Sequence, residues 1–182
     1  MDIIYGNIKL RALEPDDMEA LRATVNDPEI ERLVVGWSFP ISQKRQMNWY
    51  EGIVGDINNQ RFAIEFKGKF VGISTLTDID WKNRSAFHGV KLTLDAPKRK
   101  GIGFDAVVAV TKYAFEELQL NRIYTGILEY NVPSKNLYAK CGWVEEGRYR
   151  QSVFKRNSYY DEIIVSILRS EYLDWKTRNS IL

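Results

Sequence analysis

A basic, glycine-spaced turn that leads directly into an amphipathic helix constrains this chain more than any other segment. The turn reads Pro-Lys-Arg-Lys-Gly-Ile-Gly-Phe-Asp-Ala over residues 97–106. Free N–H groups at a helix N-terminus, reinforced by the helix dipole, bind anions. Gly101 and Gly103 let that backbone approach a phosphate closely, and the three preceding basic residues add positive charge. The segment therefore predicts a pyrophosphate cradle.

An ordinary loop-to-helix junction with solvated lysines is the alternative interpretation of this turn. Two better-known phosphate loops are excluded. The chain has no Gly-x-x-x-x-Gly-Lys-Ser/Thr segment, so it has no P-loop. Residues 104–106 hold no third glycine and no acidic residue closes a βαβ unit, which argues against a dinucleotide-binding fold.

The composition is that of a folded domain without a strongly charged surface. With 45% hydrophobic and 13% aromatic residues among 182, the chain is long enough for one domain with a substantial core. The net charge of +2, with basic residues interleaved among acidic ones, predicts no nucleic-acid partner. The single Cys141 cannot form an internal disulfide; it favours a cytoplasmic location and is read as a small buried hydrophobe. No secretory signal or apolar run of ~20 residues is visible, so we expect no membrane association.

Periodicity divides the chain into strands and helices. Alternation of apolar and polar residues predicts strands over residues 8–12, 61–66, 70–79, 85–94, 122–128, 145–154 and 159–168. Helical spacing and capping residues predict helices over residues 14–26, 42–54, 101–118 and 134–140, with residues 27–40 as a loop. We therefore expect an α/β (α+β) fold in which helices flank a mixed, mostly antiparallel central sheet. The expected single domain spans residues 1–182, with a core over 8–168 and a tail over 170–182 that docks either on this domain or on a partner.

A second informative segment follows the strand predicted at residues 122–128. It reads Asn-Val-Pro-Ser-Lys-Asn-Leu-Tyr-Ala-Lys-Cys-Gly-Trp over residues 131–143. Ser134 is predicted to cap a short helix, and Gly142 is predicted to end it in the left-handed conformation. Tyr138 comes one turn after Ser134, so their side chains share one face of that helix.

Together, the glycine turn and this second segment resemble the GNAT superfamily of acetyl-CoA-dependent N-acetyltransferases. The resemblance is closest to the branch that contains ribosomal-protein N-terminal and spermidine acetyltransferases. It extends from Ile8 to Leu168, and the order of elements agrees. The resemblance implies a single-domain GNAT-like fold, acetyl-CoA as cosubstrate, and direct attack of a primary amine on the thioester. No His, Cys or carboxylate cluster has metal-ligand spacing, so we expect no metal.

The resemblance also implies a set of coenzyme-binding residues. The family's phosphate motif, Gln/Arg-x-x-Gly-x-Gly/Ala, falls on Lys98, Arg99, Lys100, Gly101, Ile102 and Gly103, with Phe104 next, and Lys98 departs from the usual Gln or Arg. The strand before the loop is implied to offer backbone hydrogen bonds to pantetheine at Leu92, Thr93 and Leu94. Asn131 matches the family's asparagine beside the pantetheine arm, and Ser134 and Asn136 are assigned to the coenzyme site with it.

Tyr138 matches the family's tyrosine near the coenzyme sulfur. A phenol with a pKa of about 10 can give a proton to a departing thiolate whose parent pKa is about 8.5. The alternative is a tyrosine that packs the helix against the sheet and leaves its hydroxyl at the surface. The resemblance favours the catalytic role.

The sequence does not identify the base that deprotonates the acceptor amine. An alkylammonium with a pKa near 10.4 has to lose a proton before it attacks. His88, the only histidine, lies on the strand that leads to the phosphate loop and is one candidate; a structural hydrogen-bonding role is the alternative. Many members of the resembled branch carry an Ala-Glu pair where this chain has Ala86-Phe87-His88, so an inherited carboxylate base is in doubt.

Acceptor-binding residues are expected in the early loop and in the hairpin before the phosphate strand. The candidates are Trp37, Asp78 and Asp80, since aromatic and carboxylate groups suit a cation or a sugar face; the alternative is that they are core and rim residues without a chemical role. The two aspartates have turn formation as their alternative. Near the closing hairpin, Trp143, Phe154, Tyr159 and Tyr160 either pack internally or contact a second copy in a homodimer.

Three functions remain open at the level of sequence. The first is an N-acetyltransferase whose partner is a small-molecule amine: a polyamine, an amino sugar or an amino-sugar nucleotide. The second is a protein N-terminal acetyltransferase. The third is a regulatory module that binds acetyl-CoA without catalysis, which the intact Asn131 and Tyr138 argue against.

Overall fold

The computed structural model describes residues 2–36 and 39–179, which contain one mixed sheet with helices on both faces. The strands are β1 (Ile3–Tyr5), β2 (Ile8–Ala12), β3 (Gln60–Phe66), β4 (Lys69–Asp80), β5 (Ser85–Leu92), β6 (Arg122–Leu128), β7 (Val144–Lys155) and β8 (Ser158–Leu168). The helices are α1 (Met18–Val25), α2 (Pro28–Leu33), α3 (Gln43–Gly52), α4 (Ile102–Glu116), α5 (Val132–Lys140) and α6 (Arg169–Arg178), and a 3-10 turn (Pro15–Asp17) leads into α1. Within these residues, no helix is long and apolar enough to cross a bilayer.

The sheet order is β1-β2-β3-β4-β5-β6-β8-β7, and every neighbouring pair is antiparallel except β5 and β6. Those two parallel strands pair only from Ser85 with Arg122 to Phe87 with Tyr124. Beyond these pairs β5 continues to Leu92 and β6 to Leu128 without pairing to each other. The sheet therefore divides between residues 88–92 and 125–128, and we call this opening the β5–β6 gap.

Two apolar clusters cover opposite faces of the sheet. The larger cluster joins α4 to strand residues such as Ala86, Ile123 and Ile163, and we call this side the α4 face. The smaller cluster joins α1 to Ala63 and Ile73, and we call this side the α1 face. Because successive strand residues point to opposite faces, neighbouring positions of β6 at the gap present their side chains to different compartments.

The structure confirms the predicted mixed sheet, with element ends displaced by a few residues and with one strand, β1, that was not predicted. The predicted loop over residues 27–40 is wrong, since α2 lies within it. Asp27 caps that helix by accepting hydrogen bonds from the N–H groups of Glu29 at 2.8 Å and Ile30 at 3.0 Å, and Pro28 starts its first turn. The predicted cap at Ser134 is also wrong: α5 starts earlier, and Asn131 caps it by accepting from the Ser134 N–H at 3.2 Å.

The left-handed conformation predicted at Gly142 is confirmed by its φ of +85°. A Cβ added there would lie 2.6 Å from Cδ1 of Trp175 on α6. The Trp175 indole N–H donates to the Lys140 carbonyl at 3.2 Å, and Tyr172 of α6 is fully buried. The segment predicted as a tail is therefore a helix that docks on its own domain, directly behind α5.

The aromatic residues near the closing hairpin divide into two groups. Trp143 is buried, with its ring centroid 4.8 Å from that of Tyr138, so it packs internally. The rings of Phe154 and Tyr159 contact each other at a tilted angle and are 58% and 63% exposed. Homodimer contact through these exposed rings stays a prediction.

Candidate active site

The edge of β5 supplies main-chain groups to the β5–β6 gap. The Thr93 N–H donates to the Val71 carbonyl on β4 at 3.0 Å. Since peptide groups alternate in direction along an extended strand, those of Val90 and Leu92 turn away from β4 and toward the gap. This arrangement fits the predicted backbone contact at Leu92. The predicted backbone contacts at Thr93 and Leu94 do not fit the structure in the same way. The Thr93 N–H is bonded to β4, and Leu94 lies 57% exposed beyond the strand.

The predicted pyrophosphate cradle lies at the start of α4. Gly101 occupies the N-cap position with a φ of +76°, and no side chain caps the helix. The first amides of α4 are thus left for an external acceptor. Residues 98–100 are exposed beside them. An added Cβ at Gly101 would meet nothing within 4 Å, whereas one at Gly103 would lie 3.5 Å from Leu137 Cδ2 and 3.9 Å from Leu92 Cδ1. The cradle therefore adjoins the open end of the gap.

Two further residues of this first turn face the protein. Ile102 is buried, and Phe104 packs near Trp175 and under the Lys140 ammonium. The acidic residue of the turn, Asp105, is 8% exposed and accepts a hydrogen bond from the Asn7 N–H at 3.0 Å. Its carboxylate thus points to the turn between β1 and β2, and the basic residues dominate the exposed mouth of the cradle.

Tyr138 lies on the α4 face beside the gap, inside the protein. Its side chain is 3% exposed, and its hydroxyl lies 2.9 Å from Nδ1 of His88 on β5 and hydrogen-bonds Thr125 on β6. Burial raises the pKa of Tyr138 above its ordinary value of 10.0. The hydroxyl is therefore protonated at neutral pH and held between the two diverging strands. The alternative of a surface hydroxyl at Tyr138 does not fit this burial.

His88 is fully buried behind Tyr138. Its Nε2 faces the Ser74 hydroxyl at 3.4 Å, and the Trp143 ring packs 5.6 Å away between centroids. Burial lowers the pKa of His88 from 6.5 to about 3. The imidazole is thus neutral at physiological pH, and both of its nitrogens face protein hydroxyls rather than open space.

We expect this histidine to make stability depend on pH. Between pH 6.5 and about 3 the unfolded chain binds a proton that the folded chain excludes, so the free energy of unfolding falls as pH falls through this window. The contribution is fully present above pH 6.5, and its slope reaches about 1.4 kcal/mol per pH unit. Urea denaturation of wild type and His88→Gln from pH 7 to 5 measures the difference. Equal slopes in the two proteins would contradict the burial of a neutral His88.

Asn131 connects the start of α5 to the end of α2. Besides capping α5, its side-chain amide donates to the Leu33 carbonyl at 2.9 Å, and Tyr130 donates to the Arg32 carbonyl. Ser134 lies within the first turn of α5, and Asn136 is exposed. Asn131 therefore holds α2 over the end of β6, next to the gap.

The predicted acceptor residues are not brought to this gap. Asp78 and Asp80 lie near the hairpin between β4 and β5, at the paired end of β5. The Asp80 carboxylate accepts from the N–H groups of Lys82 at 2.9 Å and Asn83 at 2.8 Å, which is the turn-forming alternative. Asp78 is exposed. Trp37 lies outside the described residues.

Two ionisable residues on the α1 face are not among those predicted from sequence. Glu162 of β8 lies over Gly126 of β6, and burial raises the pKa of its carboxyl group. Lys91 of β5 lies across the gap, and burial followed by the charge of Lys155 lowers its pKa. A glycine inside β6 is the one sequence signal for this crowding, because a strand glycine often marks close approach of another group. Among the described residues, no group of three or more His, Cys, Asp or Glu is placed to hold a metal.

Known proteins share the sequence pattern and the fold of this chain. Residues 7–144 match a family model described as the acetyltransferase (GNAT) domain. An SPbeta prophage-derived uncharacterized N-acetyltransferase of Bacillus subtilis is 30% identical over 167 residues, which cover 91% of this chain and 92% of that protein. A spermidine N(1)-acetyltransferase of Vibrio cholerae is 29% identical over 173 residues, which cover 93% and 97%. The crystal structure of spermidine N-acetyltransferase from Vibrio cholerae in complex with CoA and spermine superposes with a TM-score of 0.85 at 27% identity, over 92% of this chain and 98% of that one.

Proposed function

Because this chain belongs to the acetyltransferase (GNAT) family and is an acetyl-CoA-dependent N-acetyltransferase, we propose that it acetylates a small primary amine of the polyamine class. The polyamine class is supported by one observation: nearly the whole chain is similar to the structure that holds CoA and spermine. Among the three functions left open by the sequence, family membership removes the non-catalytic module. No feature of the described residues favours a protein N-terminus over a small amine.

The residues that would hold the coenzyme form a continuous path. Acetyl-CoA supplies the acetyl group as an activated thioester. The free amides of α4 and the basic residues before them would bind its pyrophosphate, with charge-assisted hydrogen bonds from the main chain. The gap-facing peptide groups of Val90 and Leu92 would align the pantetheine arm. The first turn of α5, with Asn131, Ser134 and the exposed Asn136, flanks the same gap.

Tyr138 would donate its proton to the departing sulfur. A donor needs its hydroxyl hydrogen free, so we assign His88 the tautomer in which the Nδ1–H donates to the Tyr138 oxygen. The Ser74 hydroxyl then donates to His88 Nε2. In this arrangement His88 is a positioning residue: it orients the phenol and stabilises negative charge that develops on the oxygen.

The acceptor class is tested by thiol release from acetyl-CoA across a panel of amines. The panel contains spermidine, spermine and putrescine, an amino sugar, an amino-sugar nucleotide and short peptides with free N-termini, with fully N-acetylated spermidine as the matched control. We expect the highest kcat/KM with a polyamine and no release with the blocked control. A higher kcat/KM with an amino sugar or a peptide would overturn the polyamine assignment.

A further inference from the structure

Glu162 occupies space at the gap that β6 leaves free by having glycine at position 126. A Cβ built on Gly126 would overlap Oε1 of Glu162 and lie 2.6 Å from its Cδ. The carboxylate therefore rests directly on the Gly126 backbone. Leu128 pairs with Glu162 across the two strands, so the glutamate side chain lies diagonally over β6 at Gly126, the strand that borders the gap.

The position on β6 places this carboxylate opposite Tyr138. Tyr138 hydrogen-bonds Thr125 on the α4 face, and Glu162 covers the next residue, Gly126, on the α1 face. Both positions come immediately after Tyr124, where β5 and β6 last pair. An acid and a carboxylate thus flank the same point of the gap from its two sides, and the space between them is where the sheet is open.

The charges around Glu162 leave its carboxylate without a cation. Arg148 of β7 pairs with Asp161 and Glu129, and Lys155 pairs with Glu31 of α2. Lys91 of β5 lies on the same face of the sheet, where burial and the charge of Lys155 lower its pKa, and it forms no ion pair within the described residues. Ser152 gives Glu162 a side-chain hydrogen bond, but partial burial is the larger influence and raises the pKa of this carboxyl group. An ammonium brought to this position would relieve the dehydrated carboxylate.

We propose that Glu162 is the catalytic base that takes the proton from the acceptor ammonium; this rests on the proposed function. The amine then approaches from the α1 face, while the sulfur departs toward Tyr138 on the α4 face. Glu162 accepts one proton from the ammonium, the C–N bond to the acetyl carbon forms, and the C–S bond breaks as Tyr138 protonates the sulfur. The nitrogen loses its second proton to solvent, Tyr138 regains one from solvent, and Glu162 releases its proton, so one proton leaves per transfer.

The other titratable candidates fit this role less well. His88 is enclosed on the α4 face and hydrogen-bonds Tyr138 itself, so it has no path to an amine on the opposite face. Asp80 is engaged in its turn at the paired end of β5. Among the described residues, Glu162 alone combines a carboxylate, a place at the gap and the absence of an ion-pair partner.

The experiment measures kcat and kcat/KM against pH for wild type, Glu162→Gln and the control Glu145→Gln, which removes an exposed carboxylate from β7. The acceptor is whichever amine of the panel wild type uses best. We expect Glu162→Gln to lower kcat on the order of 10²-fold or more, because general-base catalysis contributes a rate factor of about this size. The variant should also lose the fall in kcat/KM toward acid pH, because the group whose protonation causes that fall is absent. With methoxyamine, which is unprotonated at neutral pH, the loss should be at least tenfold smaller. The control should match wild type.

Gly126→Ala provides an independent variant. Its methyl group displaces the end of a flexible side chain, so the fold should survive while the carboxylate moves off the gap. We expect Gly126→Ala to lower kcat at least tenfold in the wild-type background and less than twofold in the Glu162→Gln background, since both substitutions remove the same function, the carboxylate at the gap.

The outcomes separate this proposal from the acceptor assignment. Wild-type transfer to a different amine class would overturn the polyamine assignment, and Glu162 would be tested with that amine. Wild-type activity together with an unchanged pH profile in Glu162→Gln, or an equal loss with methoxyamine, would overturn the base assignment alone. No transfer by wild type to any amine would overturn both.

Discussion

Replacing Tyr138 with Phe should lower kcat by about 10²- to 10³-fold, because the departing thiolate then lacks the proton donor that we propose for it. The hydroxyl lies within the protein between His88 and Thr125, and its raised pKa keeps it protonated across the neutral range. The ring itself, which packs against Trp143, is retained in the variant. Steady-state thiol release gives kcat, and calorimetric titration with acetyl-CoA gives the dissociation constant, which should change less than threefold.

A buried hydroxyl also contributes to stability, so the catalytic loss needs a matched control. Tyr138→Phe leaves His88 Nδ1 without its partner, and the free energy of unfolding should fall by about 1–2 kcal/mol. Tyr172→Phe removes another hydroxyl from a fully buried ring, one that donates to Glu116 at 2.7 Å beneath α6, away from the gap. We expect that control to lose similar stability and to retain its kcat. Wild-type kcat in Tyr138→Phe would remove Tyr138 from the mechanism.

Replacing Gly103 with Leu should weaken acetyl-CoA binding by about tenfold to a hundredfold. Gly103 lies in the first turn of α4, and its missing side chain leaves a space bounded by Leu92 and Leu137. An isobutyl group there would hold the coenzyme away from the first amides of the helix. Losing one charge-assisted hydrogen bond of about 1.5–3 kcal/mol corresponds to that loss of affinity. Isothermal titration with acetyl-CoA measures it directly.

The control is Gly103→Ala, whose Cβ makes only ordinary contacts at 3.5 and 3.9 Å. Alanine is also the better helix former, by about 1 kcal/mol, so this variant should unfold at higher denaturant concentration. Its affinity for acetyl-CoA should stay within threefold of wild type. An unchanged dissociation constant in Gly103→Leu would place the coenzyme elsewhere and overturn the assignment of the cradle.

Most helices and strands, and the pyrophosphate cradle, were predicted from local sequence patterns. Alternation of apolar and polar residues predicted the bounds of the strand at residues 122–128. The first residue of the helix predicted over 42–54, Ser42, caps α3 by accepting a hydrogen bond from the Arg45 N–H at 3.2 Å. The misplaced cap at Ser134 shows the limit of such patterns. Asn131 and Ser134 are both good capping residues, and the one that caps was chosen by the additional bond from Asn131 to α2.

The interpretation of His88 shows why chemistry cannot be assigned from residue type alone. A histidine next to the phosphate strand is a reasonable base by its ordinary pKa of about 6.5. Tertiary packing buries the His88 ring completely, and this burial lowers its pKa to about 3. The same packing places His88 Nδ1 2.9 Å from the Tyr138 hydroxyl oxygen. Dehydration of the charged form is a property of the assembled core, so no local pattern carries it.

The sequence by itself determined the family and the coenzyme, and it predicted two coenzyme-binding segments, because glycine spacing and capping chemistry act within a few residues. The tertiary structure alone decided where β5 and β6 part, how α6 closes behind Gly142, and which ionisable groups meet at the gap. Tyr138 lies on α5 and Glu162 on β8, and the strand β6 separates their side chains. Contacts of that kind depend on strand order and on which face each side chain takes, and both are properties of the assembled sheet.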